Sequence, residues 1–169
     1  MAAITGSSDA LTGFNAGPAE QTQRDLLSCC AAEGWAREVT AGRPYPDLAA
    51  LLRHADAALR RLAWTGVAQA LAAHPRIGER PSGDDRESAW SRREQAGAGD
   101  TGAAMAAVNR AYEQRFGHLF LIFASGRSEA EILAAARERL GNDDETERRV
   151  VQEELRRIAL LRLERLVRR

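Results

Sequence analysis

The run Ala72-Ala73-His74-Pro75-Arg76-Ile77-Gly78-Glu79-Arg80 places an imidazole directly before a proline. Upstream, Leu62, Trp64, Val67, Ala68 and Leu71 have the spacing of a core-facing helix stripe. Pro75 disfavours the α region for its neighbour, so the helix is predicted to stop at His74. The imidazole then stands at a helix C-terminus, where the dipole favours its protonated form, and beside a turn. Such a group can move a proton near neutral pH. Taken alone, it is more often a solvent-facing helix-end histidine.

Four further polar residues stand out from the pattern around them. Val151, Leu155 and Ile158 form an apolar stripe near the C-terminus, and the next position on it is Arg162. At about 100° per residue, Arg162 lies within about 20° of the stripe's centre. A guanidinium turned into a core must be paired or must bind an anion. Its fork suits a carboxylate, although snorkelling over apolar surface or a structural ion pair is the commoner use. Ser91 and Glu94 share one face of a predicted helix that is poor in large apolar residues, with Trp90 its main anchor. A pair of this kind is usually solvated; beside an imidazole, the same carboxylate could orient it. Asn109 interrupts the stripe Met105, Val108, Tyr112, Phe116. A buried asparagine must find several hydrogen bonds, and loop backbone near the site is the expected partner.

Composition narrows the chemistry. With 169 residues, 44% apolar and 28% charged, the chain is predicted to form one soluble domain. The formal net charge is zero, so nothing points to nucleic acid or to an anionic membrane surface. All 24 basic residues are arginine. Without lysine there is no Schiff base, which excludes pyridoxal-phosphate and lysine-aldolase chemistry. Cys29 and Cys30 are neighbours in a predicted helix and point in different directions, so they read as buried apolar residues rather than a disulfide. No spaced Cys/His cluster supports a metal site. No membrane span or signal pattern is visible, and a reducing cytoplasm fits best. The chain ends Leu166-Val167-Arg168-Arg169, which gives peroxisomal import no support.

The elements that must position these residues read as almost wholly helical. Residues 1–12 read as a flexible leader and 13–169 as a single domain. Segments near 18–41 and 46–60 are predicted helical, the second opened by Asp47 as a cap. A third ends at His74. Asp84-Asp85-Arg86-Glu87 resembles a capping box that opens a helix to about residue 97. Gly97, Gly99 and Gly102 break it, and a helix over 101–116 follows with Gly117 as its C′ residue. His118 to Ala124 could be extended or helical. Helices near 128–140 and 144–167 complete an all-α, bundle-like architecture.

These residues together resemble the 2-oxo-4-hydroxy-4-carboxy-5-ureidoimidazoline (OHCU) decarboxylases of urate catabolism. The similar segments are Trp35 with Arg43-Pro44-Tyr45, then Ala73-His74-Pro75-Arg76-Ile77-Gly78, then Ser91-Arg92-Arg93-Glu94-Gln95. Asn109-Arg110-Ala111-Tyr112-Glu113-Gln114-Arg115-Phe116-Gly117, Phe120-Leu121-Ile122 and Ile158-Ala159-Leu160-Leu161-Arg162-Leu163 follow in the family's order. Two segments depart from it. His118-Leu119 stands where many members have Phe-Pro, and Arg76-Ile77-Gly78-Glu79 differs from the Asp/Glu-Leu-Ala-Gly of animal forms.

The resemblance implies an all-helical, cofactor-free, usually homodimeric enzyme that decarboxylates OHCU to (S)-allantoin. It implies His74 and Glu94 as the catalytic pair and Ser91 and Arg162 as substrate-binding residues. Pro75, Gln95 and the backbone of Phe120, Leu121, Ile122, Phe123 and Ala124 match segments that line the family's site. Two alternatives stay open: a diverged member acting on a related ureido or imidazoline acid, and a non-catalytic helical binding module.

Overall fold

The structure is a computed structural model, and it describes residues 6–78 and 102–169. Eight helices are described: α1 Gly6–Ala16, α2 Ala19–Cys29, α3 Glu33–Ala41, α4 Leu48–Arg60, α5 Trp64–Ala72, α6 Gly102–Phe116, α7 Glu129–Arg139 and α8 Asp144–Val167. Among the described residues there is no strand, in keeping with the all-α expectation. The predicted helix opening near Asp84 lies outside the described residues, and so do Ser91, Glu94 and Gln95.

The chain divides into two compact units. The first comprises residues 1–67 and 156–169. Its helices bury apolar residues at helical spacing: Leu26 and Cys29 from α2, Trp35, Ala36 and Val39 from α3, Leu51, Ala55, Ala58 and Leu59 from α4. The Asp47 carboxylate accepts the Ala50 N–H at 2.7 Å, the cap expected at the start of α4. Trp35 donates its indole N–H to the Ala55 carbonyl at 3.1 Å, so the large ring is buried without orphaning its polar atom. Cys29 and Cys30 are fully buried thiols.

Two findings in this unit depart from the sequence reading. Residues 18–41 form two helices, not one. Cys30 and Ala32 adopt extended backbone angles between α2 and α3, and Cys29, Cys30 and Ala32 are all completely buried. Tertiary packing therefore overrides local propensity in a stretch without a proline or glycine. The leader expected through residue 12 overlaps α1, and Leu11 and Phe14 on that helix are buried. Two side chains stitch α1 in place. Asn15 exchanges two hydrogen bonds with the Tyr45 backbone, at 2.9 and 2.8 Å. Arg43 Nη1 donates to the carbonyls of Phe14 and Gly17 and to Thr22 Oγ1, at 2.8–2.9 Å. These bonds satisfy carbonyls at the end of α1 that the helix itself cannot.

The second unit comprises residues 68–155. Its core joins Ile77 to Met105, Val108 and Tyr112 of α6, to Phe120, Ile122 and Ala124, and to Ile132 and Ala136 of α7. Helix α6 ends as predicted: Gly117 takes a φ of +78° and donates its N–H to the Glu113 carbonyl at 2.8 Å. Residues 118–124 then carry no regular secondary structure. Ser128 caps α7 by accepting the Glu131 N–H at 3.2 Å, and Asp143 caps α8 by accepting the Thr146 N–H at 2.7 Å. That backbone N–H holds the Asp143 carboxyl below its ordinary pKa.

Candidate active site

Helix α5 closes two residues earlier than predicted. Its regular part ends at Ala72, and the chain then tightens, with Ala73 donating to Ala70 and His74 to Leu71 at 3.2 and 3.0 Å. Pro75 explains the stop, since an α conformation at His74 would clash with its ring. His74 and Pro75 are half-buried.

The turn after the histidine is held from α6 at two points. Asn109 is 6% exposed and donates its amide N–H to the Ile77 carbonyl at 3.0 Å, the loop-backbone role expected for it. Arg76 and Glu113 form a two-point ion pair, Nε to Oε1 at 2.5 Å and Nη2 to Oε2 at 3.1 Å. That pair is partly exposed, so its contribution is about 0–1 kcal/mol. Ile77 is the apolar anchor, buried in the same core as Phe120, Ile122 and Ala124. Gly78 ends the turn with a φ of +86°, a conformation that favours glycine. A cavity of about 270 Å³ lies against Arg76, Ile77, Gly78, Ala106, Asn109 and Glu113. The predicted site residues are not among its described lining.

The stretch from Phe120 to Ala124 is buried except for half-buried Phe123. Charged side chains fix its backbone. Arg139 Nη1 donates to the Leu121 carbonyl at 2.8 Å, and the Phe123 N–H donates to Glu154 Oε2 at 2.8 Å. Arg139 also pairs with Glu147 through Nε and Nη2, at 2.8 and 2.5 Å. Tyr112 donates its hydroxyl to the same Glu147 oxygen at 2.5 Å, and Asn142 donates to the other at 3.0 Å. Glu147 is completely buried and Arg139 nearly so. Burial first, then the bond to Glu147, push the Tyr112 phenol far above its ordinary pKa.

Sequence reasoning found Arg162 but not this cluster. The same signal was there: Glu147 sits four residues before Val151 on the stripe that leads to Arg162, and Arg139 follows Ile132 and Ala136 on α7. Both are charges on a buried face. Arg162 itself is completely buried, as its position on the stripe predicts, and its Nη1 reaches the Cys29 carbonyl at 3.4 Å. The second unit brings together the turn bearing His74 and Pro75 and the stretch Phe120–Ala124, through Ile77. Arg162 belongs to the first unit.

The comparisons with known proteins cover most of the chain. The family model described as OHCU decarboxylase matches residues 15–164. The chain is 32% identical over 146 residues to the uric acid degradation bifunctional protein TTL of Arabidopsis thaliana, covering 82% of this chain but 45% of that protein. It is 33% identical over 138 residues to the 2-oxo-4-hydroxy-4-carboxy-5-ureidoimidazoline decarboxylase of Amia calva, covering 78% of this chain and 79% of that one. Among solved structures, an OHCU decarboxylase crystallised in the presence of (S)-allantoin matches with a TM-score of 0.73 and 27% identity, over 89% of this chain and 99% of that chain. An (S)-allantoin synthase shares the fold, with a TM-score of 0.63 and 20% identity over 95% of this chain and 53% of that one. With its family match running from before α2 to near the end of α8, the chain belongs to the OHCU decarboxylase family.

Proposed function

We propose that this protein decarboxylates OHCU to (S)-allantoin in urate degradation, without a cofactor. The carrying observation is the family match over residues 15–164, which includes the turn bearing His74 and the stretch of α8 bearing Arg162. We read residues 13–169 as one OHCU-decarboxylase domain, cytoplasmic and homodimeric, acting on a small molecule rather than on nucleic acid or membrane. Zero net charge agrees with that, and no helix among the described residues is long and apolar enough to cross a membrane.

The substrate carries its carboxylate on a carbon next to a C=N bond. When the C–C bond breaks, CO2 leaves and the electron pair enters the adjacent π system, so that the imine nitrogen takes a proton. The hydroxyl on the carbon that lost CO2 then gives up its proton to become a carbonyl, and the neighbouring former imine carbon takes up a proton on one face. The protein's tasks are to anchor the substrate and to deliver protons to one face. In this reading Arg162 pairs with an anionic or carbonyl oxygen of the substrate, and Ser91 and Glu94 hydrogen-bond its ureido and ring N–H groups. His74, oriented by Glu94, shuttles a proton at the reacting hydroxyl or carbon. Pro75, Gln95 and the backbone of Phe120–Ala124 form the walls.

The direct test generates the unstable substrate in situ from urate and follows optical rotation. Optically active allantoin should form faster with the protein than without it. Racemic allantoin at the spontaneous rate would reject the proposal. Light scattering tests the dimer separately.

A further inference from the structure

We propose that Arg139 and Glu154 are positioning residues that hold the backbone of Phe120–Ala124 in its substrate-binding course. This rests on the reading above that the stretch lines the substrate site. Two opposite charges grip neighbouring backbone groups of a segment with no regular structure: the Arg139 guanidinium takes the Leu121 carbonyl, and the Glu154 carboxylate takes the Phe123 N–H, each at 2.8 Å. Between the anchors, no hydrogen bond joins Ile122's backbone to a described residue. Arg127 fastens the far end, its Nε donating to the Phe123 carbonyl at 3.1 Å and its N–H to the Ala124 carbonyl at 3.0 Å.

The Arg139 anchor is itself rigid. Its guanidinium carbon lies 4.6 Å from the Phe120 ring centroid and 5.9 Å from that of Tyr112, and Glu147 holds its Nε and Nη2. Burying such a pair is a poor source of stability compared with apolar packing. What charge supplies here is direction: a planar fork leaves little freedom in where the Leu121 carbonyl points. The clamp predicts a binding phenotype. The proton chemistry assigned to His74 stays intact when an anchor is lost, while the wall that receives the substrate moves.

The test compares wild-type enzyme, Glu154→Ala, Glu154→Gln and the double variant Arg139→Met with Glu147→Met, which removes the buried pair together so that neither charge is orphaned. Steady-state kinetics with substrate generated from urate should show KM raised about tenfold in Glu154→Ala and in the double variant, with kcat and its pH profile close to wild type. Glu154→Gln keeps an acceptor for the Phe123 N–H and should restore the wild-type KM. Leu51→Ala, in the core of the first unit, controls for lost stability: it should lower Tm without moving KM. Unchanged KM in Glu154→Ala and in the double variant, with a lowered Tm, would show the anchors to be scaffold only and overturn the inference. Glu154→Gln as impaired as Glu154→Ala would overturn it too. If wild-type enzyme fails to form optically active allantoin, the proposed function falls and this inference with it; if wild type is active and only KM refuses to move, the inference alone falls.

Discussion

The Arg162 guanidinium, completely buried on α8, reaches the carbonyl oxygen of Cys29, the last residue of α2, at 3.4 Å. That distance is at the long edge of a hydrogen bond. The planar fork can address a carboxylate or a carbonyl at two points, which an ammonium cannot. Arg162→Lys should therefore lower kcat/KM by about 10- to 100-fold, the loss of one charge-assisted hydrogen bond. Kinetics of a folded Arg162→Lys indistinguishable from wild type would place the residue in the scaffold.

His74 allows a sharper test, because the residue stands outside the regular part of α5, and Asn can occupy a position before proline. His74→Asn should fold, keep the Pro75 turn, and lose about 10²- to 10⁴-fold in turnover of freshly generated substrate. Near-wild-type turnover by this variant would sink the proton-shuttle assignment. A loss of that size with an unchanged melting temperature is the expected pair of results.

How far these positions could be read in advance depended on whether the signal was local. The cap at Asp47 and the end of α6 at Gly117 are set by one or two residues each and stand where the sequence puts them, while the stop before Pro75 falls two residues early, at Ala72. Arg162 was legible because a single charge breaks a run of apolar residues at helical spacing. The break between α2 and α3 was not, since Cys30, Ala31 and Ala32 carry no turn chemistry and only complete burial of their neighbours forces it. Helix α1 was missed for a related reason: its anchors, Asn15 and Arg43, act through contacts some 26 to 30 residues apart in the chain. The course of residues 118–124 was ambiguous because a short apolar run fits strand and helix alike, and what decides it is Arg139 and Glu154, from two other helices. Ser91, Glu94 and Gln95 lie outside the described residues.

Asn109 links helix α6 to the turn after His74 through a single donor, its Nδ2 to the Ile77 carbonyl at 3.0 Å. Asn109→Asp keeps the side chain's shape but sets an acceptor against that carbonyl. The variant should lose about 1–3 kcal/mol of stability, the ordinary result of leaving buried polar groups without a partner. Because Ile77 is three residues from His74, kcat should fall as well. Chemical denaturation and steady-state kinetics measure the two effects; a variant as stable and as active as wild type would show that the turn does not depend on this bond.

Alkaline pH probes both units through the chain's two tyrosines, one in each. Tyr45 donates its hydroxyl to the Val39 carbonyl at 2.6 Å, and Tyr112 donates to Glu147. Ionising either would bury a phenolate against an oxygen that carries negative charge. Burial, reinforced by Glu38, pushes the Tyr45 phenol up to about 12, and Tyr112 is raised further still. An unfolded tyrosine ionises near about 10, so above that pH the unfolded chain has released protons that the native one keeps. The unfolded state then binds fewer protons, and stability must fall as pH rises through this window; below it the contribution is fully present. Phenolate absorbance of the native protein should therefore stay low at about pH 10, where a free tyrosine is half ionised, and rise together with loss of helical circular dichroism. Tyr45→Phe, which has no proton to lose at that position, should move the alkaline unfolding midpoint to higher pH. Two phenolates titrating near about 10 in a chain that keeps its helical signal would contradict the buried, donor-bound state of both hydroxyls.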